Sequence, residues 1–184
     1  ETFDQLRKNK LVKEDALLFI NSIASVSLND EDRERFHRYF SHIQSQIVVE
    51  VTEEENMSEE ALIRKRETKG FSGMFALDDY GSGYNTEINL LNLSPKYIKI
   101  DLTIVRNIDK DFYKQQLVSN IVEYAHQREG YIIAEGIETK EELLKVLELG
   151  VDYLQGYYLS YPQLNPQEVS NESIKTIENY WKKR

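Results

Sequence analysis

The sequence predicts an α/β fold of repeated βα units around a parallel sheet, and three observations carry that prediction. Short runs rich in β-branched and aromatic residues alternate with longer stretches of helical periodicity. The β-type runs end in carboxylates or amides. The helical stretches between them open on cap residues and close on glycine or proline, with no low-complexity linker and no internal domain boundary.

Each element follows from its residues. Glu1 to Lys13 reads as the end of a helix anchored by Leu6, and Ala16 to Asn21 as a buried strand with an amide at its end. Asn29-Asp30 caps a helix from about Glu31 to Gln44, whose apolar face is Phe36, Tyr39, Phe40 and Ile43. Ile47 to Glu53 is a second strand, and Ser58 opens a charged helix that runs to about Lys69 and ends at Gly70. Met74 to Asp78 is the third strand. A short helix from Glu87 to Leu93 stops at Ser94-Pro95. Tyr97 to Leu102 alternates strictly, with Lys99 and Asp101 on one face. A helix of nearly six turns covers Asp109 to Arg128, with Leu117, Val118, Ile121, Val122 and Ala125 as its inner stripe. Tyr131 to Glu138 is the fifth strand. Thr139 and Glu142 have capping-box spacing and start a helix that Gly150 closes. Val151 to Tyr158 gives a sixth strand. Pro162 and Pro166 follow it, and a helix from about Ser170 to Lys182 completes the chain.

Composition excludes several classes of function. The 184 residues suit one domain and contain no cysteine, which removes thiol catalysis, disulfide frameworks and Cys-type zinc sites. No apolar run reaches membrane-spanning length and no signal-like segment opens the chain, so a cytoplasmic domain without membrane contact is expected. A formal charge of -9 argues against a DNA-binding surface. It leaves phosphate esters open, because divalent cations held by acidic residues can face an anionic substrate. His37, His42 and His126 lie in helical patterns without metal-ligand partners and read as ordinary surface or groove residues.

The chemistry-bearing residues are Asn21, Glu50, Asp78, Asp79, Lys99, Asp101, Glu135, Glu138 and Gln155, all at or just beyond predicted strand C-termini. In a βα barrel those ends converge on one face, where active sites are built. The sharpest stretch is Phe75 to Asn85, where an apolar run ends in Asp78-Asp79 and the glycines Gly81 and Gly83 follow. Successive strand residues point to opposite faces, so both aspartates reach one centre only if the strand ends or distorts there. Taken singly, each motif has an ordinary reading: a solvated Asp-Asp turn, an edge ion pair at Glu50 and Glu53, a local Lys99–Asp101 salt bridge. Together they need one explanation, because charge at buried strand ends is costly unless paired or metal-bound. Oxygen ligands without Cys or His match hard divalent ions such as Mg²⁺ or Mn²⁺. Lys99 fits better as a point charge that stabilises anionic oxygen or orients a water.

The order Asn21, Glu50-Val51-Thr52-Glu53, Asp78-Asp79-Tyr80-Gly81-Ser82-Gly83-Tyr84, Lys99-Ile100-Asp101, Ala134-Glu135-Gly136-Ile137-Glu138-Thr139 and Gln155-Gly156-Tyr157 resembles the EAL domain, a bacterial cyclic di-GMP phosphodiesterase family. The resemblance runs from about Phe19 to Pro162, with Tyr80 and Ser82 in place of the more usual Phe and Thr. It implies a modified (βα)₈ barrel of the TIM type that hydrolyses cyclic di-GMP to linear pGpG with two divalent cations, Mg²⁺ or Mn²⁺. By the same resemblance, Asn21, Glu50 and Asp78 hold the first metal, Asp78 bridges, and Asp79 serves the second. Glu135 is similar to the residue described as general base or second-metal ligand, and Lys99 to the lysine that holds the attacking water. Asp101 and Gln155 fall in the supporting polar shell, Glu138 is a further acidic group, and Glu53 resembles the glutamate that tethers the loop from Asp79 to Asn85.

The Glu-Ala-Leu tripeptide that names the family, a first-metal ligand on an early strand, is absent from the early strands here. Six of eight barrel strands are expected, so residues 1–184 read as one N-terminally incomplete domain. The gap is filled by upstream residues, by another chain, or not at all; the intact later motifs favour the first. The enzyme reading competes with a non-catalytic cyclic di-GMP receptor or interaction module, and more distantly with an unrelated metal-dependent lyase. The resemblance also implies a homodimer and a neighbouring GGDEF or sensor domain.

Overall fold

The computed structural model describes residues 2–10, 12–21, 29–52, 74–83, 86–163 and 168–184. It divides into two compact units, residues 17–99 and residues 1–16 together with 100–184. The chain opens on α1 (Thr2–Lys8), a shorter helix than the predicted one.

In residues 17–99 the strands β1 (Leu18–Asn21), β2 (Ile47–Thr52), β3 (Phe75–Tyr80) and β4 (Tyr97–Ile100) lie side by side in sequence order. β1 and β2 run parallel with Asn21 opposite Glu50; β2 and β3 run parallel with Glu50 opposite Ala76 and Thr52 opposite Asp78. Val48, Val51, Ala76, Leu77 and Ile98 are all buried, which is why β2, β3 and β4 read as apolar runs, whereas β1, predicted as a buried strand, is half-buried at Leu18, Phe19 and Ile20 and exposed at Asn21. Between β1 and β2 lie α2 (Asp30–Phe40) and a 3₁₀ segment, Ser41–Gln46. Asn29 caps α2 as predicted, accepting the Asp32 N–H at 2.8 Å. Tyr39 is 65 % exposed and leaves the expected apolar face. Phe36, Phe40 and Ile43, at i, i+4 and i+7, form the stripe, and Tyr39 falls at its edge. The helix α3 (Thr86–Leu93) precedes β4.

The ends of β3 and β4 differ from prediction. β3 continues to Tyr80, because Tyr80 is itself buried and the reversal comes at Gly81, φ 99°, where the Ser82 N–H closes onto the Asp79 carbonyl. β4 stops at Ile100, because Asp101 turns out of the strand to cap the next helix.

Residues 100–184 carry α4 (Leu102–Val105), α5 (Phe112–Gln127), β5 (Tyr131–Ala134), α6 (Lys140–Glu148), β6 (Tyr153–Leu154) and α7 (Asn171–Lys182). The predicted helix from Asp109 begins later, at Phe112, because the Asp111 carboxylate takes the N–H groups of Tyr113 and Lys114. Its inner stripe is buried as expected at Val118, Ile121, Val122 and Ala125, with Leu117 half-buried. β5 and β6 run parallel with Ala134 opposite Leu154. β6 has two residues rather than eight, since from Gly156 the chain enters a turn in which Leu159 and Ser160 both donate to the Gly156 carbonyl. Ser170 caps α7, and the Tyr180 hydroxyl donates to the Leu147 carbonyl, tying α7 to α6.

The charged stretch from Ser58 to Gly70, Glu53, Tyr84-Asn85 and Pro166 lie outside the described residues. Among the described residues, no helix is long and apolar enough to cross a membrane.

Candidate functional site

The register of residues 17–99 puts the predicted polar residues on one side of their strands. Asn21 faces Glu50 across β1 and β2, and Glu50 faces Ala76 on β3. Asp78 lies two residues beyond Ala76, so the strand's two-residue period returns it to the face that Glu50 occupies. Lys99 reaches the same place from β4. Its ammonium lies 2.7 Å from Glu50 Oε1 and 2.7 Å from Asp78 Oδ1.

Glu50, Asp78 and Lys99 are 7 %, 8 % and 8 % exposed, so this is a buried charge cluster and not a surface ion pair. Burying each charge alone would be strongly unfavourable; the ammonium compensates both carboxylates at once. The geometry also corrects the two ordinary readings of these residues. Lys99 pairs with Glu50 and Asp78, and Glu50 is in the interior rather than part of an edge pair.

Asp79 shows how two adjacent aspartates escape strand alternation. Its φ of 57° is left-handed, a conformation Asp tolerates better than most residues, and its N–H donates to Asp78 Oδ1 at 3.1 Å. The distortion predicted for this strand end sits on Asp79 itself and not only on the glycines that follow. Asn21 is exposed at the end of β1, and Asp79 is half-buried.

The remaining predicted residues belong to the unit of residues 100–184. Asp101 is buried and caps α4, accepting from the Thr103 N–H at 2.8 Å and from the Thr103 hydroxyl. Glu135 follows β5, half-buried, with its N–H donating to the Ile100 carbonyl at 3.1 Å. Gln155 follows β6 and is exposed; its backbone exchanges bonds with Ala134 and Ile137. Glu138 is exposed and pairs with Arg106 at 2.7 Å. Glu53 lies outside the described residues. The letters Glu-Ala-Leu occur once, at Glu60 to Leu62, in the stretch between β2 and β3 that also lies outside them.

Glu142 shows what sequence reasoning missed. Its capping box with Thr139 forms as predicted, but the same carboxylate also accepts the Asn107 N–H at 2.8 Å and the Glu138 N–H at 3.0 Å. Burial pushes its pKa up, but the hydrogen bonds from Asn107, Glu138 and Thr139 outweigh it, so the pKa lies below the ordinary Glu value. No local signal announces a bond between residues 35 apart.

Chemically, Glu50 and Asp78 offer only oxygen donors and already seat a cation, the Lys99 ammonium, between them, an arrangement that fits a hard divalent ion.

Known proteins resemble this chain in sequence and in fold. Cyclic di-GMP phosphodiesterase PdeF of Escherichia coli is 33 % identical over 120 residues, 64 % of this chain and 16 % of that protein. Probable cyclic di-GMP phosphodiesterase PdeA of the same organism is 34 % identical over 131 residues, 70 % of this chain and 18 % of its own length. The chain thus spans less than a fifth of these relatives. Among solved structures, Klebsiella pneumoniae BlrP1 in a complex with manganese and cyclic di-GMP superposes with a TM-score of 0.73 at 26 % identity, covering 88 % of this chain and 43 % of that one. The predicted fold class, a partial TIM-type (βα)₈ barrel, holds. The EAL domain family model matches residues 1–162, and the chain belongs to that family.

Proposed function

We propose that this chain is the larger part of a phosphodiesterase domain that hydrolyses cyclic di-GMP to linear pGpG with two divalent cations, Mg²⁺ or Mn²⁺. The observation that carries the proposal is the buried Glu50–Lys99–Asp78 cluster, in which two carboxylates on neighbouring strands share one cation. The names of the curated relatives and the manganese and cyclic di-GMP complex of BlrP1 support the same substrate and metal class.

Asn21, Glu50 and Asp78 would hold one cation, with Asp78 bridging to a second held by Asp79. When bound, such cations lower the pKa of water and offset charge that develops on phosphate oxygens. Glu135 would accept the proton of the attacking water, as a carboxylate does when it works as a general base. Lys99 would orient that water and stabilise anionic oxygen. Asp101 and Gln155 would support the shell, Glu138 would add acidic charge, and Glu53 would tether the loop from Asp79 to Asn85.

Full-length protein incubated with cyclic di-GMP and Mn²⁺ should yield pGpG by chromatography, and Glu135→Gln should abolish it. Tight binding without product would establish instead a nucleotide receptor. A homodimer in the cytoplasm with an adjacent GGDEF or sensor domain belongs to the same proposal, by family resemblance. Light scattering that gives a monomer at high concentration would remove the dimer from it.

A further inference from the structure

We infer that Glu142 is a positioning residue: it fixes the loop from Glu135 to Thr139 by joining that loop's peptide groups to the turn at Asn107. One oxygen, Oε1, accepts the Asn107 N–H at 2.8 Å. The other, Oε2, accepts the Glu138 and Thr139 N–H groups, each at 3.0 Å. The side chain is 3 % exposed, so these bonds do not trade freely with water.

Two further contacts join the same segments. A Cβ built on Gly136 would lie 2.4 Å from Leu102 Cβ, so the loop rests directly on α4, and Gly136 has a φ of 69° that favours glycine. Outside, Arg106 pairs with Glu138 at 2.7 Å. The α4 side of the joint is itself held, because Lys114 donates to the Thr103 and Arg106 carbonyls at 2.6 and 2.7 Å. The turn at Asn107, with a φ of 57°, therefore presents its N–H to Glu142 from a fixed frame.

The capping box alone explains Thr139 but not Asn107. A carboxylate is required, because three donors converge on two oxygens. In Glu142→Gln one oxygen becomes an NH₂, and a donor then meets a donor at either Asn107 or the Glu138–Thr139 pair. The inference rests on the phosphodiesterase reading for its kinetic readout, since Glu135 begins the loop that Glu142 holds.

The test compares Glu142→Gln with Thr139→Ala in the full-length protein. Thr139→Ala weakens the helix cap and leaves the bonds to Asn107 and Glu138. For Glu142→Gln, kcat should fall by about 10- to 100-fold, as when groups that orient metal-site ligands are lost, while KM stays within about threefold. Thr139→Ala should keep kcat within about threefold at a similar loss of thermal midpoint. Amide exchange should rise together at Asn107, Glu138 and Thr139 in Glu142→Gln. Should Glu142→Gln fail to fold, Glu142→Asp, one methylene shorter, replaces it. Unchanged kcat, or a kcat that merely tracks stability in both variants, overturns the positioning role. A wild-type protein that makes no pGpG defeats the phosphodiesterase reading alone; the inference then stands or falls on whether the three amides lose protection together.

Discussion

The protein buries carboxylates in two ways. In residues 17–99, Glu50 and Asp78 are compensated by a side-chain cation, Lys99. In residues 100–184, Glu142 is compensated by backbone N–H groups of Asn107, Glu138 and Thr139. The first depends on a side chain, an ammonium at the end of a flexible stem. The second is fixed, because peptide groups move only if the backbone does. On the phosphodiesterase proposal, the first kind suits a site where another cation takes up the carboxylates, and the second a loop that must keep its shape.

Removing Lys99 should break this contrast with the largest effect. Lys99→Met leaves two buried carboxylates without their shared cation, which should cost about 3–5 kcal/mol in metal-free urea unfolding. Millimolar Mn²⁺ should restore much of that loss. A variant that neither loses stability nor responds to Mn²⁺ would show that the cluster is not a cation seat.

Glu142→Ala should come next, at about 1–3 kcal/mol for buried donors left without an acceptor, and metal should not rescue it. The pH dependence of this site has a definite sign. The folded-state pKa of Glu142 lies below its unfolded value, so its contribution is present above the ordinary Glu range and is lost as pH falls through the folded pKa. Urea midpoints measured from neutral pH down through that range should therefore fall more steeply in wild type than in Glu142→Gln. Parallel curves would show that the ionised form is not favoured by folding.

Thr139→Ala should cost about 1 kcal/mol through the helix cap, read from the same unfolding curves. The smallest effect belongs to Arg106→Ala. Its pair with Glu138 is about half exposed at both side chains, so no more than about 0.2–1 kcal/mol is expected, vanishing at high salt.

The helix caps and the acidic strand ends were legible in the sequence, and the reasons are local. Asn29 and Thr139 act as caps where the sequence predicted, because capping involves residues three apart, and Ser170 caps the helix expected to start at about that residue. Strand ends were less legible. β3 outlasts Asp78 because the burial of Tyr80 outweighs the pull of the glycines toward an early turn, and β6 shrinks to two residues because the turn at Gly156 takes over. Asp101 looked like part of an alternating strand, since a carboxylate leaving a strand and one capping a helix are written in the same letters.

The sequence by itself determined the alternation of strands and helices, the starts of α2, α6 and α7, and the acidic chemistry of the strand ends. All three depend on neighbours within one or two turns of chain. Only the tertiary structure decided that Lys99 answers Glu50 and Asp78, and that Glu142 reaches Asn107. Those partners are chosen by strand register and by where loops return the chain, and neither leaves a periodic trace in the order of residues.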